Sequence, residues 1–419
     1  MYTLKLTRTR YRHVNNGHAW LPSDLDSFHT PSQVKLHVQD VPLRECPSAS
    51  KDLLASIPAD ALVSLKLAYP IPPLSATLDS LRELLTRCTT LETFHYHERG
   101  QGTFLRLTEN QRLPAFRHLM LESYDWQHSK DAVAKYWTLS RLKSLRLASV
   151  PVYRFLKSIN MADMAKLTSL QLDDAYARLD GEESEKGTIL MHDLILNHIQ
   201  ALEFLEVTCH QRLFGINAIL KHAETLISLR LRDHTGFDNG GICPTLSVAD
   251  ITAIGNTMHA LRTLELDMDC PAPEQAWFLS AAAKLPRLQH LTLHIQTAIE
   301  PPSIDEDGNQ QPPLVEGDVD LQGAYGLLHA LLWAMRCETR IGEVFPLQQL
   351  VINVGGWKPT TARRIGSTWR ALNEQGVFAE RRFVFVKSKT LGKSAGRFVL
   401  REEACVAPAA SCVFSASRS

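Results

Sequence analysis

The 419-residue chain has no excess of either charge, since 45 lysines and arginines are set against 45 aspartates and glutamates. That balance leaves no global field to hold the protein on nucleic acid or on an anionic membrane, although local patches can form. Long apolar runs are missing as well. The N-terminus carries no stretch resembling a secretory leader, and the longest apolar segment, around Leu327 to Met335, is far below the roughly 20 residues of a spanning helix. These absences predict a soluble protein of the cytoplasm or nucleus with no membrane partner. Cysteine patterning is absent too: Cys46, Cys88, Cys209, Cys243, Cys270, Cys337, Cys405 and Cys412 include no C-x-x-C pair and no zinc-ligand spacing. They read as ordinary buried thiols.

Signatures of catalysis are also lacking. The stretch "GFDNGG" has neither the following lysine nor the strand-turn-helix setting of a phosphate loop, and no G-x-S-x-G elbow or H-E-x-x-H helix occurs. Isolated Ser, His and Asp residues define no triad without geometry. No enzymatic activity and no cofactor are expected. Histidine is plentiful, with His95 and His97 on one predicted strand face, His118 near the neighbouring strand, and His290 with His294 further on. No carboxylate or cysteine accompanies them at a ligand-like position, so they read as polar surface residues and not as a metal site.

What the chain does have is a recurring phrase, apolar-x-x-apolar-x-apolar. It opens the sequence as "MYTLKL" and returns as "LVSLKL" at Leu62, "LETFHY" at Leu91, "FRHLML" at Phe116, "LKSLRL" at Leu142 and "LTSLQL" at Leu167. It continues as "LEFLEV" at Leu202, "LISLRL" at Leu226, "LRTLEL" at Leu261, "LQHLTL" at Leu288 and "LQQLVI" at Leu347, and a weaker copy, "PSQVKL", sits at Pro31. Successive starts lie 24 to 35 residues apart until the last interval, of 59. The last three positions of each copy alternate apolar, polar, apolar, the period of a strand with one buried face. Between copies lie segments of helical spacing, among them "ATLDSLRELLTRC" from Ala76, "NAILKHAETL" from Asn217, "LSVADITAIGNTM" from Leu246 and "LQGAYGLLHALLWAMRC" from Leu321. Strand and helix are predicted to alternate.

The hexamers and their spacing resemble those of the leucine-rich-repeat superfamily, and the irregular repeats with long helical outer segments resemble the repeat region of fungal F-box/leucine-rich-repeat proteins. The resemblance covers nearly all of residues 1–386. The Asn or Cys that usually follows the last leucine is not consistently present; Cys209 stands near such a place. The fold expected is α/β, a curved horseshoe solenoid of about 12–13 repeats with a parallel concave sheet and a helical convex side. Strands about 4.8 Å apart against helices needing roughly 10 Å force such a row to bend. The solenoid is expected to span residues 1–403, with no N-terminal cap, an acidic insertion at 299–320 and a terminal hairpin at 381–401. Residues 404–419 read as a disordered tail.

The insertion, "IEPPSIDEDGNQQPPLVEGDVD" from Ile299, holds seven acidic residues, four prolines and no basic residue, which argues for a mobile acidic loop. Shorter surface insertions are expected in "DDAYARLDGEESEKG" from Asp173 and "RDHTGFDNGGICPT" from Arg232. In the resembled proteins an F-box docks the chain onto a cullin-type ubiquitin ligase. "WLPSDLDSF" from Trp20 is not continued by the helix such a module needs, so no F-box is expected within this sequence.

The fifth and seventh template positions must point away from the leucines. They make the concave-face candidates for binding a protein partner Lys35, Lys66, His95, His97 and Arg146 in the first half of the array, a basic stretch. Glu206, Arg230, Arg232, Glu265 and Asp267 follow in the second half, where neighbouring strands would pair Arg230 and Arg232 with Glu265 and Asp267. Phe204, at a third position where other copies have Ser or Thr, joins these candidates as a potential interface anchor, and Tyr124 and Trp126 either do the same or pack under adjacent loops. The face is either a laced polar surface or a charge-patterned recognition surface. The function expected is a non-enzymatic protein-interaction scaffold. The resemblance implies the substrate-recognition part of an F-box-type ligase adaptor, with cullin-type ligase components as partners only if an F-box lies upstream. A ubiquitin-independent structural or regulatory solenoid is the alternative, and nucleic-acid binding by "KLTRTRYRH" from Lys5 and the basic end from Arg381 is disfavoured.

Overall fold

The structure is a computed structural model that describes residues 3–8, 34–41, 54–55, 57–67, 78–97, 103–174, 181–234, 243–269, 272–295, 303–304, 310–311, 319–338, 346–354, 381–388 and 398–404. The chain divides into two compact units, Met1–Thr225 and Leu226–Ser419.

In the first unit each copy of the hexamer contributes a strand. These are β1 (Thr3–Arg8), β2 (Val34–Val41), β3 (Leu62–Leu67), β4 (Thr93–His97), β5 (His118–Glu122), β6 (Ser144–Ala148), β7 (Ser169–Asp173) and β8 (Phe204–Cys209), side by side in sequence order. From β2 to β8 they run parallel. The fourth template positions fall in one row, Leu65, Phe94, Leu119, Leu145, Leu170 and Leu205. All six are buried, as are the sixth positions from Leu67 to Val207. A backbone pattern holds this offset constant. The carbonyl at the second position of one copy accepts two N–H groups from the next: Glu92 from Arg117 and His118 at 2.8 and 3.0 Å, Arg117 from Lys143 and Ser144 at the same distances, Lys143 from Thr168 and Ser169 at 2.9 and 3.1 Å. Backbone groups ahead of each strand are thereby satisfied by the neighbouring copy.

At their ends β5 and β6 turn sharply. Ser123 and Ser149 take positive φ angles of 55° and 54°, and their N–H groups donate to Ala148 O and Asp173 O at 2.8 and 2.7 Å. Between strands the chain forms α1 (Asp79–Arg87), α2 (Lys130–Tyr136), α3 (Val152–Ser158), α4 (Gly181–Asp193) and α5 (Asn217–Leu220). Helix α1 buries Leu81, Leu84 and Leu85. Helix α2 is started by Ser129, whose hydroxyl accepts the Ala132 N–H at 3.3 Å.

Three local expectations change here. The opening phrase was expected to be one more parallel copy, but β1 pairs antiparallel with β2, Leu4 opposite Val38 and Leu6 opposite Leu36. Two-residue alternation dictates which face a side chain takes and is blind to strand direction. The stretch "NAILKHAETL" yields only the four-residue α5, after which successive turns close on Leu226. The stretch from Asp173 is not only an insertion, because α4 begins at Gly181 with Glu182 and Glu183 in its first turn.

The second unit repeats the arrangement. Strands β9 (Ser228–Asp233), β10 (Thr263–Asp267), β11 (His290–Ile295) and, after a small hairpin of β12 (Ser303–Ile304) and β13 (Gln310–Gln311), β14 (Gln349–Val354) are parallel in the order β9-β10-β11-β14. Leu229, Leu264, Leu291 and Leu350 share a row and are fully buried. Carbonyls Ile227, Arg262 and Gln289 each accept the same paired N–H donors seen in the first unit. Two further strands, β15 (Arg381–Lys387) and β16 (Phe398–Ala404), add antiparallel to β14 and to each other. The sheet of each unit is thus mostly parallel and open, and the protein is α/β. Helices α6 (Val248–Thr257), α7 (Ala272–Ala283) and α8 (Val319–Glu338) pack in succession. α6 and α7 meet at Gly255, where an added Cβ would lie 2.5 Å from the Ala281 carbonyl oxygen. Of the 299–320 insertion, only β12, β13 and the first residues of α8 lie within the described residues. So does only the start of the 404–419 tail, at Ala404. The F-box-like stretch from Trp20 lies outside them.

Candidate functional site

With leucines committed to one face, the opposite face of the first unit carries the fifth-position row Lys66, His95, Met120, Arg146, Gln171 and Glu206, each beside the next on adjacent strands. Lys35 and Arg146 are exposed, Lys66, His95, His97 and Glu206 half-buried. Lys35, Lys66 and Arg146 make no hydrogen bond or ion pair with the described residues. Their field is felt by the rings between them. Burial lowers the His95 imidazole to about 4, and Lys66, Arg146 and His118 add to the effect; His37 is lowered by burial and by Lys35 and Lys66. At pH 7 these rings are neutral and the fixed cations supply the charge.

Carboxylates stand further along. Glu122 lies 3.4 Å from His97, its pKa raised by burial against the opposing pull of Arg146. At the third-position row, His118 is exposed and Phe204 leaves 45% of its surface to solvent. Phe204 is the one aromatic on this row, beside Ser169. His118 was not among the sequence candidates for partner binding; its third-position place and exposure put it with them.

Tyr124 and Trp126 take the other alternative left by the sequence. Both are fully buried, in a cluster where Trp126 packs 4.6 Å from Phe155 and 5.0 Å from Trp137, and Tyr124 meets Tyr96 edge-on at 5.0 Å. The Trp126 indole N–H donates to Ser158 Oγ at 2.8 Å, and the Tyr124 hydroxyl accepts the Leu105 N–H at 2.8 Å while bonding His128 Nε2 at 2.7 Å. They are core, not docking anchors.

In the second unit the corresponding positions behave differently. Arg230 Nε lies 3.0 Å from Glu265 Oε1, and Arg232 Nε 2.6 Å from Asp267 Oδ1, so the two ion pairs bridge β9 and β10. Arg232 and Asp267 are each only 2% exposed, where the sequence suggested a solvent-facing surface. Alternation told which face they occupy; whether that face meets water depends on chain far away in sequence. Asp267 Oδ2 also accepts the Asp233 N–H at 2.8 Å. The network extends to β11 and β14: His294 Nε2 lies 2.8 Å from Glu265 Oε1 and 3.0 Å from an Arg232 terminal nitrogen, and the Asn353 amide nitrogen lies 3.3 Å from the same ring nitrogen. Burial disfavours ionising Glu265, yet the hydrogen bond from His294 and the charge of Arg230 hold its carboxyl at about 2. Burial, then Arg232, lowers the His294 imidazole below its ordinary value. The Cys243 thiol, its N–H given to Asp269 Oδ2 at 2.9 Å, is raised well above the ordinary thiol range by burial and by Asp267 and Asp233. It is a protonated core thiol.

Asn353, buried against His294, was missed by sequence reading; the signal available was its seventh position after "LQQLVI". His95, His97 and His118 do not converge, because His118 stands opposite Thr93 and His95 opposite Met120. Among the described residues no group of three or more His, Cys, Asp or Glu is placed to hold a metal ion, and no helix is long and apolar enough to cross a membrane. Compared with known proteins, the chain matches no family model and no curated protein sequence.

Proposed function

We propose that this protein is a non-enzymatic interaction scaffold whose hexamers are leucine-rich repeats of a curved solenoid, and that it captures a protein partner on the strand face of its first unit. The single observation that carries the reading is the division of β2–β8 into two unlike faces. Every described template leucine is buried, while Lys35, His118, Arg146 and Phe204 stand exposed on the other side. An exposed aromatic two strands from an arginine that makes no hydrogen bond or ion pair is the composition of an interface centre more than of an idle surface. The two ion pairs of the second unit, of which Arg232–Asp267 is buried and Arg230–Glu265 half-buried, support a division of labour in which that unit's equivalent face is structural.

The resemblance of the hexamers to those of F-box/leucine-rich-repeat proteins makes substrate selection for a cullin-type ubiquitin ligase the particular form we favour. Affinity purification of the tagged full chain with quantitative mass spectrometry tests both levels. A partner recovered with the wild type and lost with Arg146→Glu plus Phe204→Ala is the expected result. Recovery unaffected by these changes overturns the face assignment, and a face-dependent partner without cullin components overturns the ligase form while leaving the scaffold.

A further inference from the structure

We infer that the occupant of the first unit's strand face is an acidic peptide segment, extended across the strands, with an apolar residue that covers Phe204. The inference rests on the scaffold reading above and names the partner's chemistry. Its basis is a charge pattern that the molecule leaves uncompensated. Lys35, Lys66 and Arg146 project from β2, β3 and β6 onto one face, none in a hydrogen bond or ion pair with an anion among the described residues, although Arg146 acts on Glu122 from further off. On β5 of that face the Glu122 carboxylate lies 3.4 Å from His97. Unlike charged pairs elsewhere in the protein, these cations are left for something else to neutralise.

The spacing fits a peptide. Lys66, His95, Met120 and Arg146 occupy consecutive strands at one register, so Lys66 and Arg146 are separated by three strand spacings, roughly 14 Å. An extended chain rising about 3.3 Å per residue covers that distance in roughly four residues. Carboxylates at its two ends would reach the two cations, and the residues between would lie on Met120 and the neutral His95 ring. Two strands beyond Arg146, Phe204 offers its ring on β8. There the fifth- and seventh-position residues are acidic, Glu206 and Asp173, so the sign of the side chains along the face changes between β6 and β8. A polyphosphate backbone cannot vary its charge along its length. A peptide can place acids over β3–β6 and an aliphatic side chain over β8, and for that reason the peptide is favoured over nucleic acid.

The test is a random-peptide display selection on the folded full chain, followed by fluorescence anisotropy of the enriched peptides and of a single-stranded DNA 12-mer. Expected are peptides rich in Asp and Glu with a nearby aliphatic residue, whose affinity falls roughly tenfold or more with Lys66→Glu plus Arg146→Glu, falls with Phe204→Ala, and weakens with salt. Unfolding midpoints of these surface variants, unchanged from wild type, exclude misfolding. Neutral or basic peptides that still depend on Arg146 or Phe204 overturn the acidic occupant and keep the scaffold reading. Tighter binding of the DNA than of any enriched peptide also overturns it. Enriched peptides indifferent to all three substitutions, or no enrichment at all, overturn both.

Discussion

Arg232 and Asp267 meet across two adjacent strands with Nε 2.6 Å from Oδ1, both side chains almost wholly out of water. An ion pair in such a place is held by mutual satisfaction, since either charge left alone would remain buried without a partner. Asp267→Ala is therefore expected to destabilise the second unit by about 3–5 kcal/mol. Replacing both, as Arg232→Met with Asp267→Leu, should recover most of that loss. Urea unfolding midpoints measure the difference; equal losses in the single and double variants would show that the pair is not the source.

Stability should fall as the medium is acidified, in two stages. His294, and His95 and His128 at about 4, have pKa values lowered by burial. The unfolded chain then binds protons at these rings before the native one does, so the stability they contribute is full above about pH 6.5 and declines below it. Glu265, held at about 2, adds a second loss as pH falls from about 4.5 toward 2. Chemical unfolding at pH 7.5, 5.5, 4 and about 2.5 reads both stages. His294→Gln should flatten part of the upper one, and a midpoint independent of pH between 7.5 and 5.5 would contradict it.

Tyr124→Phe removes a hydroxyl that accepts the buried Leu105 N–H and bonds His128. The expected cost is about 1–3 kcal/mol, because the partners stay behind unsatisfied. Near-UV circular dichroism should retain its shape, since the edge-on contact with Tyr96 and the tilted one with Trp126 survive. Loss of that signal would mean that the hydroxyl organises the whole aromatic cluster.

Ser149→Gly is expected to leave stability unchanged or to raise it by up to about 1 kcal/mol, the reverse of glycine's usual effect, since Ser149 sits at a positive φ of 54°. Ser149→Val should destabilise. Thermal unfolding of the two variants side by side decides whether the turn is strained.

Gly255→Ala would gain about 1 kcal/mol of helix propensity in an open helix. Here the new methyl would lie 2.5 Å from the Ala281 carbonyl, so α6 must move off α7 and a net loss of about 1–3 kcal/mol is expected. A stabilised variant would place the two helices further apart than described.

The leucines made most of the fold legible. Leu145, Leu170 and Leu205 could be set on one buried face from spacing alone, and Arg230 opposite Glu265 follows from the same register. The direction of β1 was not legible, since the alternation of Leu4 and Leu6 is the same whether the strand runs up or down. Nor was the fate of Trp126, whose indole needed Ser158, 32 residues away, to become a core group. The face itself looked uniform in sequence, with charged residues at fifth and seventh positions from end to end.

By its own periodicity the sequence determined where strands form and which side chains turn inward, because those depend on neighbours two residues apart. Only the tertiary structure decided that Arg146 meets solvent while Arg232 does not. Burial is conferred by segments remote in the chain, and no local pattern carries that information.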